Sequence, residues 1–259
     1  VNFLTFIGSA KVGWYLKSKV APGTRVALEH GGAAPVLVEE DAAIESIIGP
    51  LAKGGFYHAG QVCVSVQRVF VHASQAEAFA EKLAAAGEAL VVGDPLEKAT
   101  EVGPLILPDE VERVAQWVEE AISEGARCLS GGKKIGNTCY APTVLYNPSP
   151  ESKVSTEEIF GPVICVYPYT DRAEAIRQAN ALPYHFQASV FTQHVDKAFS
   201  AVRQLNALAV MVNDHTAFRV DWMPFGGRDA SGEGIGGIAY SMHEMTRPKL
   251  MVIKSPAFE

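Results

Sequence analysis

Short apolar runs that alternate with amphipathic stretches narrow the folds open to this chain more than any other feature. Residues 68–72 alternate as a strand does, and residues 75–90 follow with Phe79, Leu83 and Leu90 on one helical face. Pro108 starts a second helix with a stripe of Val111, Val114, Trp117, Val118 and Ile122, and Gly125 stops it. Proline just inside a helix start and glycine just past its end are the expected punctuation. Further strand–helix units are read at 163–167 with 172–181 and at 188–191 with 195–205, and 208–212 reads as a buried strand. Upstream, residues 3–6, 24–28 and 35–38 read as strands. Asp41 is placed to cap a helix carrying Ile44, Ile47, Ile48 and Leu51. Alternation repeated in this way predicts an α/β fold.

Composition limits the partners. With 48% apolar and 20% charged residues, the 259-residue chain has the make-up of a soluble globular protein with a sizeable core. A net charge of −7 without any basic run weighs against nucleic acid and anionic membranes. No apolar run approaches the length of a membrane span, and the opening residues lack a basic leader or cleavage pattern. Cys63, Cys128, Cys139 and Cys165 have no paired-metal spacing and the histidines form no cluster with them, so no metal is expected. Scattered free cysteines fit a reducing, cytoplasmic setting.

Chemistry gathers at Cys63, in the stretch Phe-Tyr-His-Ala-Gly-Gln-Val-Cys-Val-Ser that ends at Ser65. A helix hands over here to a loop and then a strand, which can aim a thiol at a substrate. Taken alone, Cys63 reads more simply as a buried structural cysteine, since free cysteine is among the most buried residue types. Three further stretches change that reading: Leu28-Glu29-His30-Gly31-Gly32, Glu157-Glu158-Ile159-Phe160-Gly161-Pro162-Val163, and Pro224-Phe225-Gly226-Gly227 followed by Ser231-Gly232. In this order, the four stretches resemble the signatures of the aldehyde dehydrogenase superfamily, from about residue 6 to about residue 254. His30 departs from the small or aliphatic residue usual there, and Ala33 from a lysine or other polar residue. Neither change removes a reacting group.

The resemblance implies an aldehyde-dehydrogenase-like catalytic domain, with strands and helices alternating around a mostly parallel sheet. It implies Cys63 as nucleophile and Glu29 as general base. Gly8 and Ser9 would lie against the pyrophosphate of NAD or NADP, although a serine at a helix start is equally a plain cap. His30, Glu158 and Phe160 complete the cofactor set, with Glu158 accepting from ribose hydroxyls and Phe160 beside the nicotinamide. Phe218, Arg219 and Phe225 would line the substrate entrance, in the irregular glycine-rich segment 213–237. The partner is a small aldehyde, and the strand expected at 249–254 would pair with a neighbouring subunit to make a homo-oligomer. The implied division is a remnant of the dinucleotide-binding domain at 1–32, a catalytic domain at 33–245 and an oligomerisation strand at 246–259. On this comparison the chain looks like the C-terminal half of a polypeptide about twice as long.

An aldehyde has no hydroxyl from which to expel hydride, and adding a thiolate makes a tetrahedral adduct that can. The chemistry needs a nucleophilic cysteine, a base for the hydrolytic water, and donors to the developing oxyanion. The Cys63 backbone N–H is one such donor; the family's second is an asparagine amide outside this stretch, and Asn213 does not match its place. The thiol is expected to have a lowered pKa, because only the thiolate reacts. Release of the acyl group to coenzyme A is the alternative within enzymes, and Glu29 favours water instead. An esterase-only or non-catalytic module of the same fold is the alternative outside dehydrogenases. The isolated chain is expected to fold in large part and to fail as a dehydrogenase.

Overall fold

The computed structural model describes residues 1–258. It opens with β1 (Phe3–Ile7), α1 (Ala10–Lys19), β2 (Arg25–Glu29), β3 (Ala34–Val38) and α2 (Ile44–Phe56). After a tight turn come β4 (Val66–His72) and α3 (Ala73–Glu88), then a long loop and α4 (Pro108–Ser123). Next are β5 (Arg127–Ser130), β6 (Lys134–Ile135), β7 (Cys139–Tyr140), β8 (Thr143–Tyr146) and the single turn α5 (Lys153–Thr156). They lead to β9 (Val163–Tyr169), α6 (Arg172–Ala179), β10 (Tyr184–His185), β11 (Gln187–Phe191), α7 (Val195–Gln204) and β12 (Ala209–Val212). The short strands β13 (Arg228–Asp229) and β14 (Gly232–Glu233) precede α8 (Ile238–Met245).

A seven-stranded sheet, ordered β12-β11-β3-β4-β9-β8-β5, carries the core. Every neighbouring pair in it is parallel except β5 with β8, as the alternating sequence pattern requires. Residues 34–38 and 66–71 are buried without a break. Strands covered on both faces read as continuous apolar runs because helices shield each side, as β3 does, whereas β4 interrupts its run with the buried Gln67 and Arg68. Helix α3 packs on β4, β8 and β9, and α6 on β3, β4 and β9. Phe79 and Leu83 of α3 are fully buried, and each contributes about 1.5–3 kcal/mol by leaving water.

A second, three-stranded sheet, β1-β2-β14, is what positions the site. β1 and β2 are parallel, while β14 returns from far along the chain and runs antiparallel to β2. The segment after Phe225 is thereby folded back on the first strands. The His30 N–H donates to the Ser231 carbonyl (2.9 Å), and the Ser231 hydroxyl donates to the Gly31 carbonyl (2.9 Å).

Three local expectations are corrected. Asp41 does not cap α2, whose N-cap is Ala43; its carboxylate accepts from Thr192 Oγ1 (2.8 Å) and Gln193 N (2.6 Å) and pairs with Lys197 (2.9 Å). β12 is not a buried strand, because it forms an edge of the large sheet with only one neighbour and is half-exposed. Residues 249–254, expected to pair with a neighbouring subunit and not with this chain, form no strand within it among the described residues, and Leu250, Met251, Val252 and Ile253 stand exposed. The segment 213–237 is less irregular than its glycines suggest, since β13 and β14 lie within it.

Candidate active site

Three separate segments deliver the candidate reacting groups to one cleft of about 620 Å³. β2 ends on Glu29. Beyond α2, His58 and Ala59 take positive φ values of 50° and 55°, and the chain reverses into the loop that carries Cys63. The segment between α5 and β9 supplies Glu158 and Phe160, the latter also left-handed at φ 49°. Gly8, Ser9, Glu29, Cys63, Glu158 and Phe160 all border the cleft, and His30 borders it as well. The approach of strand β2 to the Glu158 loop explains Gly31, where a Cβ would collide with the Glu158 carboxylate. The Gly32 N–H donates to Glu158 Oε1 at 2.9 Å.

The charges in this cleft oppose one another. Burial pushes the Cys63 thiol up to about 12, and the Glu158 and Glu29 carboxylates add to the shift, with only its own backbone N–H and Arg219 acting against it. The expected lowering of the thiol pKa is thus reversed: partial burial and two nearby carboxylates both disfavour the thiolate. Glu29 is raised by burial, while the Arg219 charge holds it back. Glu158 is raised from 4.5 to about 7, chiefly by burial, against the Gly32 hydrogen bond and the Arg113 charge. An acid whose folded pKa is raised gives its full stability below the unfolded value of 4.5 and loses it as pH rises through about 7. Glu158→Gln should therefore stabilise the chain at pH 8 by on the order of 2–3 kcal/mol and leave it unchanged at pH 4. Urea unfolding at the two pH values measures this, and equal differences at both would contradict it.

A family model described as "Aldehyde dehydrogenase family" matches residues 1–251. The chain belongs to the aldehyde dehydrogenase family. It is 41% identical over 253 residues to the 3-sulfolactaldehyde dehydrogenase of Priestia aryabhattai, covering 98% of this chain and 53% of that one. It is 40% identical to the lactaldehyde dehydrogenase of Methanococcus vannielii, with 98% and 54% covered. The structure superposes with a TM-score of 0.90, at 38% identity, on glyceraldehyde-3-phosphate dehydrogenase GapN from Methanocaldococcus jannaschii complexed with NADP, covering 95% and 53% of the two chains. The chain spans about half the length of the curated relatives it matches.

Within this aldehyde dehydrogenase fold, Ser9 is the residue preceding α1, and its hydroxyl makes no capping bond and lies exposed. The His30 side chain is committed to packing: it is 1% exposed, with Nδ1 at 2.9 Å from the Ala230 carbonyl and its ring against Trp14. Its Nε2 lies so close to α1 that a Cβ at Gly13 would overlap it, which accounts for that glycine. Phe225 is buried against Phe186 (4.8 Å between ring centroids), in a small apolar cluster that Cys63 adjoins. The Arg219 guanidinium lies 4.0 Å over the Phe225 ring, and Phe218 is exposed. Phe218, Arg219 and Phe225 are not among the residues bordering the cleft itself.

Sequence reasoning missed Arg113 and Trp117. Both border the cleft, with Arg113 at 4.5 Å over the Trp117 ring and donating to the Ile159 carbonyl (2.7 Å). Trp117 belongs to a stripe read as core, and one face of it does pack on the core. Arg113 carried no signal beyond an ordinary helix cation. Among the described residues no cluster of His, Cys, Asp or Glu could hold a metal, and no helix is long and apolar enough to cross a membrane.

Proposed function

We propose that the protein containing this chain oxidises a small aldehyde to a carboxylic acid with NAD or NADP, through a thioester on Cys63. The observation that carries this reading is the meeting of Cys63, Glu29 and Glu158, from three distant segments, on one cleft. The residues present fit the nicotinamide end of such a cofactor. Ser9 offers an uncommitted hydroxyl at the start of α1, and Glu158 keeps Oε2 without a hydrogen-bond partner among the described residues, free to accept from ribose hydroxyls. Bound there, NAD or NADP supplies the hydride acceptor. Cys63 Sγ adds to the aldehyde carbon, and its backbone N–H, which has no carbonyl partner among the described residues, faces the developing oxyanion. Burial and the two carboxylates hold the thiol above its ordinary value, so little of it is ionised near neutral pH. Proton removal must therefore accompany attack, and Glu29, whose raised pKa makes it a stronger base, is the acceptor on the same cleft. Glu29 passes the thiol's proton on to solvent, and in the second half-reaction it takes a proton from the water that cleaves the thioester; the acid leaves and the Cys63 sulfur is released to be reprotonated.

Small oxygenated aldehydes, including those bearing an anionic group, are the substrate class. The relatives named for lactaldehyde and 3-sulfolactaldehyde point the same way. Arg219 is an exposed cation whose charge reaches both Glu29 and Cys63, so it can meet the substrate's anion at the entrance. Arg219→Ala should lower kcat/KM for anionic aldehydes about tenfold more than for neutral ones; an equal effect on both classes removes the pairing. The exposed run Leu250–Ile253 is assigned to contact with a second copy, and residues 1–32 to the cofactor-binding part of the protein.

The 259-residue chain, which spans about half the length of its curated relatives, should be reactive at Cys63 yet inactive as a dehydrogenase by itself, since the Cys63 N–H is the one oxyanion donor identified in it. Losing one such donor alone costs roughly 10²–10³ in rate. Titration with NAD and NADP beside a thiol-labelling assay tests this; micromolar binding with aldehyde oxidation would overturn the view of the chain as insufficient. Failure of the complete polypeptide to reduce either cofactor with any small aldehyde would overturn the function itself.

A further inference from the structure

One buried side chain of β4, Gln67, grips the Glu158 loop on both sides of the carboxylate. Its Nε2 donates to the carbonyls of Glu157 (2.7 Å) and Val154 (3.3 Å), and its Oε1 accepts from the Ile159 N–H (3.0 Å). Gln67 is 4% exposed, so these bonds form out of water, where leaving one unmade is costly. The next residue, Arg68, points its Nε to the Ala33 carbonyl (3.1 Å) and anchors itself on the Gln178 and Ala179 carbonyls. Gly32, the neighbour of Ala33, is the residue whose N–H holds Glu158 Oε1. β4 thus grips two loops with adjacent side chains, and those loops meet at the Glu158 carboxylate. Cys63 lies only a few residues before β4, in the loop that leads into it.

We propose that Gln67 is a positioning residue: by fixing the Glu157–Ile159 backbone it holds the Glu158 carboxylate where its charge acts on Cys63. A backbone filler without this role would satisfy the same carbonyls while leaving the thiol's chemistry indifferent to its loss. The inference rests on the reading of Cys63 as nucleophile beside Glu158, and it is testable without any turnover. Glu29 and Arg219 also act on the thiol, and Arg113 acts on Glu158. Tyr57 and Tyr184 lie close, but both are raised above the ordinary tyrosine value and stay neutral in the range used.

The experiment is the rate of Cys63 alkylation by iodoacetamide between pH 5 and 9.5, on the chain and on the complete polypeptide. It is read at Cys63 by peptide mass mapping because Cys128 is exposed as well. In the unsubstituted protein the logarithm of the rate should flatten near pH 7, where Glu158 ionises and begins to repel the thiolate. Glu158→Gln should remove that flattening and raise the rate at pH 8.5 about threefold to tenfold, the effect of about one unit in thiol pKa. Gln67→Leu should reproduce both changes, because the released carboxylate moves toward water. The double variant should match Glu158→Gln alone, since residues acting through one another are not additive. Gln67→Asn, which keeps the amide but is one methylene too short, replaces the leucine variant if that does not fold. The proposal is overturned by a folded Gln67 variant that keeps the flattening, or by effects that add to those of Glu158→Gln. Failure of both Gln67 variants to fold also overturns it, by making the residue structural. Absence of the flattening in the unsubstituted protein would instead remove Glu158 from the thiol's surroundings, and with it part of the functional reading.

Discussion

Replacing Cys63 by alanine in the complete polypeptide is expected to reduce aldehyde oxidation and ester hydrolysis to their uncatalysed rates. No other cysteine of this chain can substitute. Cys165 is fully buried on β9, Cys139 is buried on β7, and Cys128 lies on β5 at an edge of the large sheet; none of the three borders the cleft. Nor should the loss be a folding artefact. Cys63 is only partly buried, at the rim of a cluster built by Val64, Phe186 and Phe225, so the substitution removes one sulfur atom from a site already open to the cleft. Steady-state formation of reduced cofactor, checked against unchanged thermal unfolding, measures this. Turnover above the uncatalysed rate would assign the chemistry to another nucleophile.

Glu29→Gln should behave differently, because the mechanism proposed above uses the carboxylate in both halves of the reaction with unequal weight. Glutamine keeps the shape needed beside Gly236, where Glu29 packs closely, and loses only the ability to take a proton. Thioester hydrolysis then has no base, and steady turnover should fall on the order of 10²-fold or more. The first hydride transfer is slowed less, since a thiol can also lose its proton to water as pH rises. A burst of reduced cofactor close to one equivalent per Cys63 should precede a slow steady state. Unchanged steady turnover would take Glu29 out of the mechanism.

Much of this was legible in the sequence for physical reasons. Buried parallel strands such as residues 34–38 must be apolar throughout, and α4 must show its stripe from Val111 to Val118, so periodicity found both. Cys63, Glu29 and Glu158 were found by motif, and the structure brings all three to one cleft. What escaped depends on partners distant in sequence. β14 is two residues long and exists only because Leu28 and Glu29 lie beside it. Asp41 looked like a cap because capping is local, whereas its true partners, Thr192, Gln193 and Lys197, come from the start of α7 and the turn before it. The direction of the Cys63 shift was misjudged for the same reason, because burial and two carboxylates assemble only on folding. Trp117 was assigned to the core alone, since a stripe does not reveal that a large ring can serve a core and a cleft together.

The central claim is that an acyl group passes through Cys63 and is released by Glu29. Its most direct test is rapid quenching of Glu29→Gln with aldehyde and oxidised cofactor, followed by mass analysis of the Cys63 peptide. The expected result is a single adduct on Cys63 with the mass of the aldehyde less two hydrogens, formed at the rate of the burst and lost slowly. An unmodified Cys63 during a full burst, or the same adduct on another residue, would contradict it.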